Sequence, residues 1–168
     1  REAIRKLELE GLVTMTPRKG VHVAALSPKD IIDVLEVRAS IEGLAASLAA
    51  SRISEDELKE LKHINNQFLN YVEKDNLQGS VKKDVEFHDV IYKASRNDKL
   101  IQISSNLREQ VQRFRIIYLK DFSNQKELYR EHMEIYDAIL RKDAESALKA
   151  AEIHIQNQQK AFIKALNK

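Results

Sequence analysis

The sequence predicts an all-α fold, an antiparallel six-helix bundle preceded by a short helix and a β-hairpin, and three observations carry that expectation. Gly and Pro number only four and two in 168 residues. Both prolines and two of the glycines fall at or before Pro28, so little interrupts a helix beyond it. From there apolar residues recur near a 3.6-residue period, as in Ile31, Leu35, Ile41, Ala45 and Leu48. The periodic segments are joined by short connections, which suit antiparallel neighbours.

Residues 1–26 read as a unit of their own. "REAIRKLELE" is helical, with Ile4 and Leu7 on one face and Gly11 as its stop. "LVTMT" and "VHVA" alternate around "PRKG", a β-hairpin with Arg18 and Lys19 at the tip. A helix running into a two-stranded wing is half of a winged helix-turn-helix. The chain opens inside a helix, with no start signal before Arg1, so the native protein is expected to extend further toward its N-terminus.

Residues 27–168 read as the bundle. Ser27 can cap the first bundle helix, Pro28 suits its first position, and Asp30 favours its positive end. That helix runs to about Ser51. Ser54 with Glu57 forms a second capping box, opening a helix that ends near Asp75. The third is expected from about Ser80 to Ser95, the fourth from Lys99 to Lys120, the fifth from Gln125 to Arg141 and the sixth from Ala144 to Leu166.

Composition excludes several classes. No apolar run approaches the ~20 residues that cross a bilayer, no secretory signal opens the chain, and there are no cysteines. These features predict a soluble cytoplasmic protein without a membrane partner. A net charge of +2 says little about nucleic acid. Its distribution says more, because Arg1, Arg5, Lys6, Arg18 and Lys19 crowd the first twenty residues.

The informative residues are those that interrupt apolar stripes. Asp84 and His88 sit four apart on the inward face of "VKKDVEFHDVIYKAS"; His132 falls in the stripe Leu128, Ile135, Ile139; His154 falls in Ala147, Ala151, Phe162. One carboxylate and three imidazoles on the inward faces of three helices suit zinc, with nickel, manganese or iron as alternatives. The competing reading is four hydrogen-bonded core residues in a metal-free structural dimerisation module. His63 and His22 lie off the stripes and serve as controls. Arg38 is a buried guanidinium among apolar neighbours: either Glu42, one turn on, pairs with it, or it holds a carboxylate ligand. Arg113, beside the fourth stripe, is a second effector-binding candidate. A metal-dependent helical-bundle enzyme is disfavoured. Glu86 points away from His88, Glu131 lies a quarter turn from His132, and paired E-x-x-H motifs are absent.

"REAIRKLELEGLVTMTPRKGVHVA" resembles the end of the DNA-binding domain of GntR-type regulators. "EVRASIEGLAASLAA", "DVEFHDVIYKASRN", "EHMEIYDAILRKDAESA" and His154 resemble the FCD effector-binding domain of the FadR subfamily. The resemblance implies that Asp84, His88, His132 and His154 hold a divalent metal, that a small carboxylic acid sits on it, and that Arg38 touches that acid. It implies a metabolite-responsive regulator, a repressor, acting as a homodimer on operator DNA. Arg1 and Arg5 would contact phosphates or base edges, and Arg18 and Lys19 the backbone or minor groove. Arg96 stands where such proteins more often have Gly.

Overall fold

The computed structural model describes residues 1–9, 11–24, 27–121 and 125–166, apart from the side chains at 108, 109, 113, 114, 116–118, 120, 121, 165 and 166. The described residues form α1 (Glu2–Leu9), β1 (Val13–Thr16), β2 (Gly20–Val23), α2 (Pro28–Arg52), α3 (Glu55–Glu73), α4 (Leu77–Ala94), α5 (Asp98–Asp121), α6 (Gln125–Leu140) and α7 (Ala144–Leu166). None of these helices is long and apolar enough to cross a membrane.

Gly11, at φ 70°, stops α1 in the left-handed conformation that its missing Cβ permits. The Gly11 and Leu12 N–H groups then reach back to Glu8 O and Leu7 O, at 3.0 and 2.9 Å. β1 and β2 pair antiparallel from Val13↔Val23 to Thr16↔Gly20. The Lys19 N–H bonds to Thr16 O and closes the turn, leaving Arg18 and Lys19 exposed at the tip as expected.

Both expected capping boxes are formed. Ser27 Oγ accepts from the Asp30 N–H and Ser54 Oγ from the Glu57 N–H, while each acid's side chain returns to the cap's own N–H. The expected start of the third bundle helix is corrected: α4 begins at Leu77 rather than Ser80, because Asn76 caps it through the Gly79 N–H at 2.9 Å. Gly79, in the first turn, is a packing site, since a Cβ there would overlap the Tyr71 ring. Arg96 does occupy a left-handed turn, at φ 50°, and its guanidinium holds both Glu57 oxygens at 2.7 Å.

Chain order understates one contact. α2 packs most extensively against α7, joining the first and last bundle helices. Ala45, Ala46 and Ala49 of α2 share a buried apolar cluster with Ala147 and Ala151 of α7, and Gly43 permits the close approach: a Cβ would lie 3.3 Å from Leu148 O. The apolar core divides into two clusters. One gathers around Leu61, Phe87, Ile91, Ile135 and Ile139, the other around Leu35, Phe68, Leu119, Leu128 and Ile155. Between or beside the two sets, α2, α3, α4, α6 and α7 bury polar side chains, among them Arg38, Glu42, Asn65, Asp84, His132 and His154, which form a buried polar layer.

Candidate metal centre

Every side chain that the sequence marks as interrupting a stripe enters that polar layer, except Arg113, whose side chain lies outside the described residues. Asp84 and His88 come from α4, one turn apart; His132 comes from α6 and His154 from α7. Asp84 is 2% exposed, His88 4%, and His132 and His154 are fully buried. Each offers one ligand atom, and these four atoms lie within 4.8 Å of one another. Asp84 Oδ1 is 3.4 Å from His132 Nε2 and 3.9 Å from His88 Nε2. His22 and His63 are exposed and lie outside this group, and His22 Nε2 is 3.0 Å from Lys19 O.

The far nitrogen of each ring shows which tautomer the layer holds. His88 Nδ1 lies 2.9 Å from Glu42 Oε2, and His154 Nδ1 lies 2.8 Å from Glu131 Oε2. His132 Nδ1 lies 3.1 Å from Asn65 Oδ1, and Asn65 Nδ2 donates to Tyr129 O, which fixes the orientation of that amide. All three partners are acceptors, so each Nδ1 carries the proton, and in the neutral ring Nε2 then turns a lone pair inward. This is the arrangement a cation requires of imidazole ligands: the outer N–H anchored, with a lone pair on the inner nitrogen. Asp84 Oδ1, His88 Nε2 and His132 Nε2 have no hydrogen-bond partner although fully buried. Buried polar atoms are rarely left so. Three such atoms, all acceptors and all aimed at one point, fit a divalent metal ion.

Electrostatics agree with that donor set. Burial pushes His132 down to about 4, only partly opposed by Asp84, and burial with neighbouring His88 pushes His154 down to about 3. Both imidazoles are therefore neutral at pH 7. Burial raises the Asp84 carboxyl, but Arg115 beside it, then His132, outweigh this and hold it well below the usual carboxylate range. The Arg115 Nε–H donates to Asp84 Oδ2, leaving Oδ1 for the shared point. Glu42 is likewise held low against its burial, by His88 and Arg38.

Arg38 is 4% exposed. Its Nη2–H donates to Glu42 Oε1 at 2.9 Å, as the structural reading requires. It also lines a cavity of about 30 Å³ beside His88, together with Glu42, Tyr92, Ser104 and Arg115. Such a volume admits water.

Four participants escape the sequence reading. Asn65 has no feature to mark it except its place between Leu61 and Phe68. Glu131 is set aside as a quarter turn from His132, yet that angle carries it to His154, where Asn157 Nδ2 also donates to it at 2.7 Å. Arg115, two residues past Arg113, shares a stripe with Val111 and Leu119, a spacing that could have revealed it. Tyr92, read as core, also borders the cavity.

Residues 33–157 match the family model described as the FCD domain. Among curated proteins, the HTH-type transcriptional regulator LutR of Bacillus subtilis is 33% identical, over 94% of this chain and 80% of its own length. The HTH-type transcriptional repressor RspR of Escherichia coli is 27% identical, over 93% of this chain and 68% of its own length. Among solved structures, E. coli McbR/YncC superposes with a TM-score of 0.87 at 17% identity, covering 98% of this chain and 83% of that one. The metal-free FCD domain of TM0439 superposes with a TM-score of 0.69 at 22% identity, covering 86% and 99%.

Proposed function

This chain belongs to the GntR-type transcriptional regulators with an FCD effector-binding domain, and from that premise we propose that its bundle senses a small carboxylic acid through a divalent metal. The observation that carries the reading is the convergence of three inward Nε2 atoms and Asp84 Oδ1, three of those four atoms lacking any hydrogen bond. Asp84, His88, His132 and His154 would hold the ion, zinc first, with nickel, manganese or iron compatible with the same donors. When bound, the ion supplies a positive charge that an acid oxygen can share.

The protein's own contribution is orientation and exclusion. Glu42, Asn65 and Glu131 hold the three rings in the required tautomer. Two apolar clusters keep water from the layer, and Arg38 and Arg115 border the cavity with fixed positive charge. An acid switches DNA affinity only as far as it binds two states of the protein differently. Couplings of this kind are typically ~1–3 kcal/mol, a change of ~5–150-fold.

Residues 1–26 are, in this reading, the C-terminal part of a winged helix-turn-helix, with Arg1 just before α1, Arg5 on it, and Arg18 and Lys19 on the wing meeting operator DNA. The regulator would act as a repressor. What supports a homodimer is Val37 and Leu44, seven residues apart on α2, and Ile103 on neighbouring α5: all three are exposed, on helices a second copy could cover.

Two measurements test this. Elemental analysis of protein purified without added metal should find about one ion per chain, and His132→Ala should lose most of it. Equal metal in both would refute the assignment. Metal-loaded protein should then melt higher with small mono-, di- or hydroxy-acids, since a ligand at 100 times its Kd adds ~2.7 kcal/mol.

A further inference from the structure

The four members of the cluster are not equally free. Asp84 Oδ1, His88 Nε2 and His132 Nε2 lack partners, but His154 Nε2 lies 3.0 Å from Gln158 Nε2. Gln158 is one turn further along α7 and 4% exposed. Its other amide atom, Oε1, accepts from Arg38 Nη1 at 3.4 Å. The orientation of this amide is fixed from both sides. Arg has no acceptor, so it faces Oε1; His154, protonated on Nδ1, has only a lone pair on Nε2, so it faces the N–H. Among the described residues, Gln158 is the partner of Arg38 Nη1, while Nη2 belongs to Glu42.

A cation on His154 uses the same lone pair that Gln158 occupies. The amide N–H cannot stay, because it would point its positive end at the ion. If the amide withdraws, Arg38 Nη1 loses its acceptor. If it turns over to offer Oε1 to the ion, it presents N–H to a guanidinium, and Nη1 again loses its acceptor. Either way a buried guanidinium nitrogen beside the cavity is left needing a partner, a costly condition that an entering anion relieves.

We propose that Gln158 couples the cation to Arg38: it competes with metal for His154 Nε2, and its displacement frees Arg38 Nη1 to bind a carboxylate in the cavity. The inference rests on the metal-centre reading above and adds a positioning residue to it. Arg38 is then a conditional effector contact, engaged by protein until the ion is in place.

The test compares the protein with Gln158→Met, which keeps volume and an unbranched chain but removes both amide groups. Zinc affinity is read by competition with a chromogenic chelator, and acetate affinity is read with and without zinc. Gln158→Met should bind zinc about 2- to 10-fold more tightly, the worth of one neutral hydrogen bond. Zinc should strengthen acetate binding less in the variant than in the unsubstituted protein. Weaker zinc binding by the variant would overturn the proposal by making Gln158 a ligand, and equal affinity with equal coupling would overturn it as well. Should the variant not fold, ¹⁵N-labelled unsubstituted protein gives the answer alone. Zinc should shift the Gln158 side-chain amide signals. Stoichiometric zinc with those signals unmoved sinks this coupling and leaves the metal centre standing, whereas no zinc uptake at all sinks both.

Discussion

Acid should destabilise the bundle before it titrates ordinary carboxylates. His132 and His154 sit near 4 and 3 in the folded chain because burial disfavours their charged forms, against an ordinary value of 6.5 once unfolded. Both shifts are downward, so the native state withholds protons that the unfolded chain accepts. Stability is full above pH 6.5 and is lost as pH falls toward 4 and 3. Each such proton costs about 1.4 kcal/mol per pH unit. Between pH 7 and 5 the two histidines together should remove about 4 kcal/mol, a large part of the ~5–15 kcal/mol typical of a domain. For a chain of this size that is a fall in Tm of ~10 °C. Asp84 and Glu42, held below their usual range, contribute stability that is lost only at lower pH, so the window is the histidines' own. Glu131, raised by burial, acts in the opposite sense near its foot. The assay is thermal unfolding of chelator-treated protein at pH 7, 6 and 5. An unchanged Tm across that range would mean the imidazoles are not buried neutral, and the argument for inward lone pairs would fail with it.

Asn65→Ala removes the acceptor on His132 Nδ1 and should weaken zinc binding ~10–100-fold, as loss of an outer partner of a metal-bound histidine typically does; chelator competition reads it. Arg115→Met leaves the Asp84 charge buried without its partner and should cost ~3–5 kcal/mol in chelated protein. Saturating zinc should shrink that loss by supplying a replacement charge, and an equal loss in both melts would contradict the pairing. Gly43→Ala places a methyl against Leu148 O and Glu152 between α2 and α7; a loss of ~1–3 kcal/mol in urea unfolding is expected. Arg18→Ala, in a protein with the complete DNA-binding domain, should lower the salt slope of operator binding by ~0.9 if the wing meets a phosphate.

The helices were legible because their signals are local. Capping residues and a 3.6-residue period act within a few positions, and Ser27, Asp30, Ser54 and Glu57 behave as their spacing says. The displaced start of α4 has a local cause as well, since Asn76 caps it through the Gly79 N–H, and only the Tyr71 ring that excludes a Cβ at Gly79 is tertiary. The four inward ligand candidates were legible too, since a polar residue stands out against an apolar stripe. Their supporting partners were not. Asn65 reaches His132 across 67 residues, Glu42 reaches His88 across 46, and Arg115 reaches Asp84 across 31. No spacing encodes such pairs; only helix packing brings them together. Glu131 does point away from His132, its neighbour in sequence, and its partner is His154 on the next helix.

The outer partners of the histidines carry a consequence for how a signal could leave this bundle. Glu42 belongs to α2, Asn65 to α3, Asp84 and His88 to α4, Arg115 to α5, Glu131 and His132 to α6, and His154 to α7. One small patch of charge is therefore stitched to all six rods of the body. A disturbance at that knot has no single route outward to follow, because every rod is already tied into it. Whichever rod meets a neighbouring molecule stands one side chain from the knot.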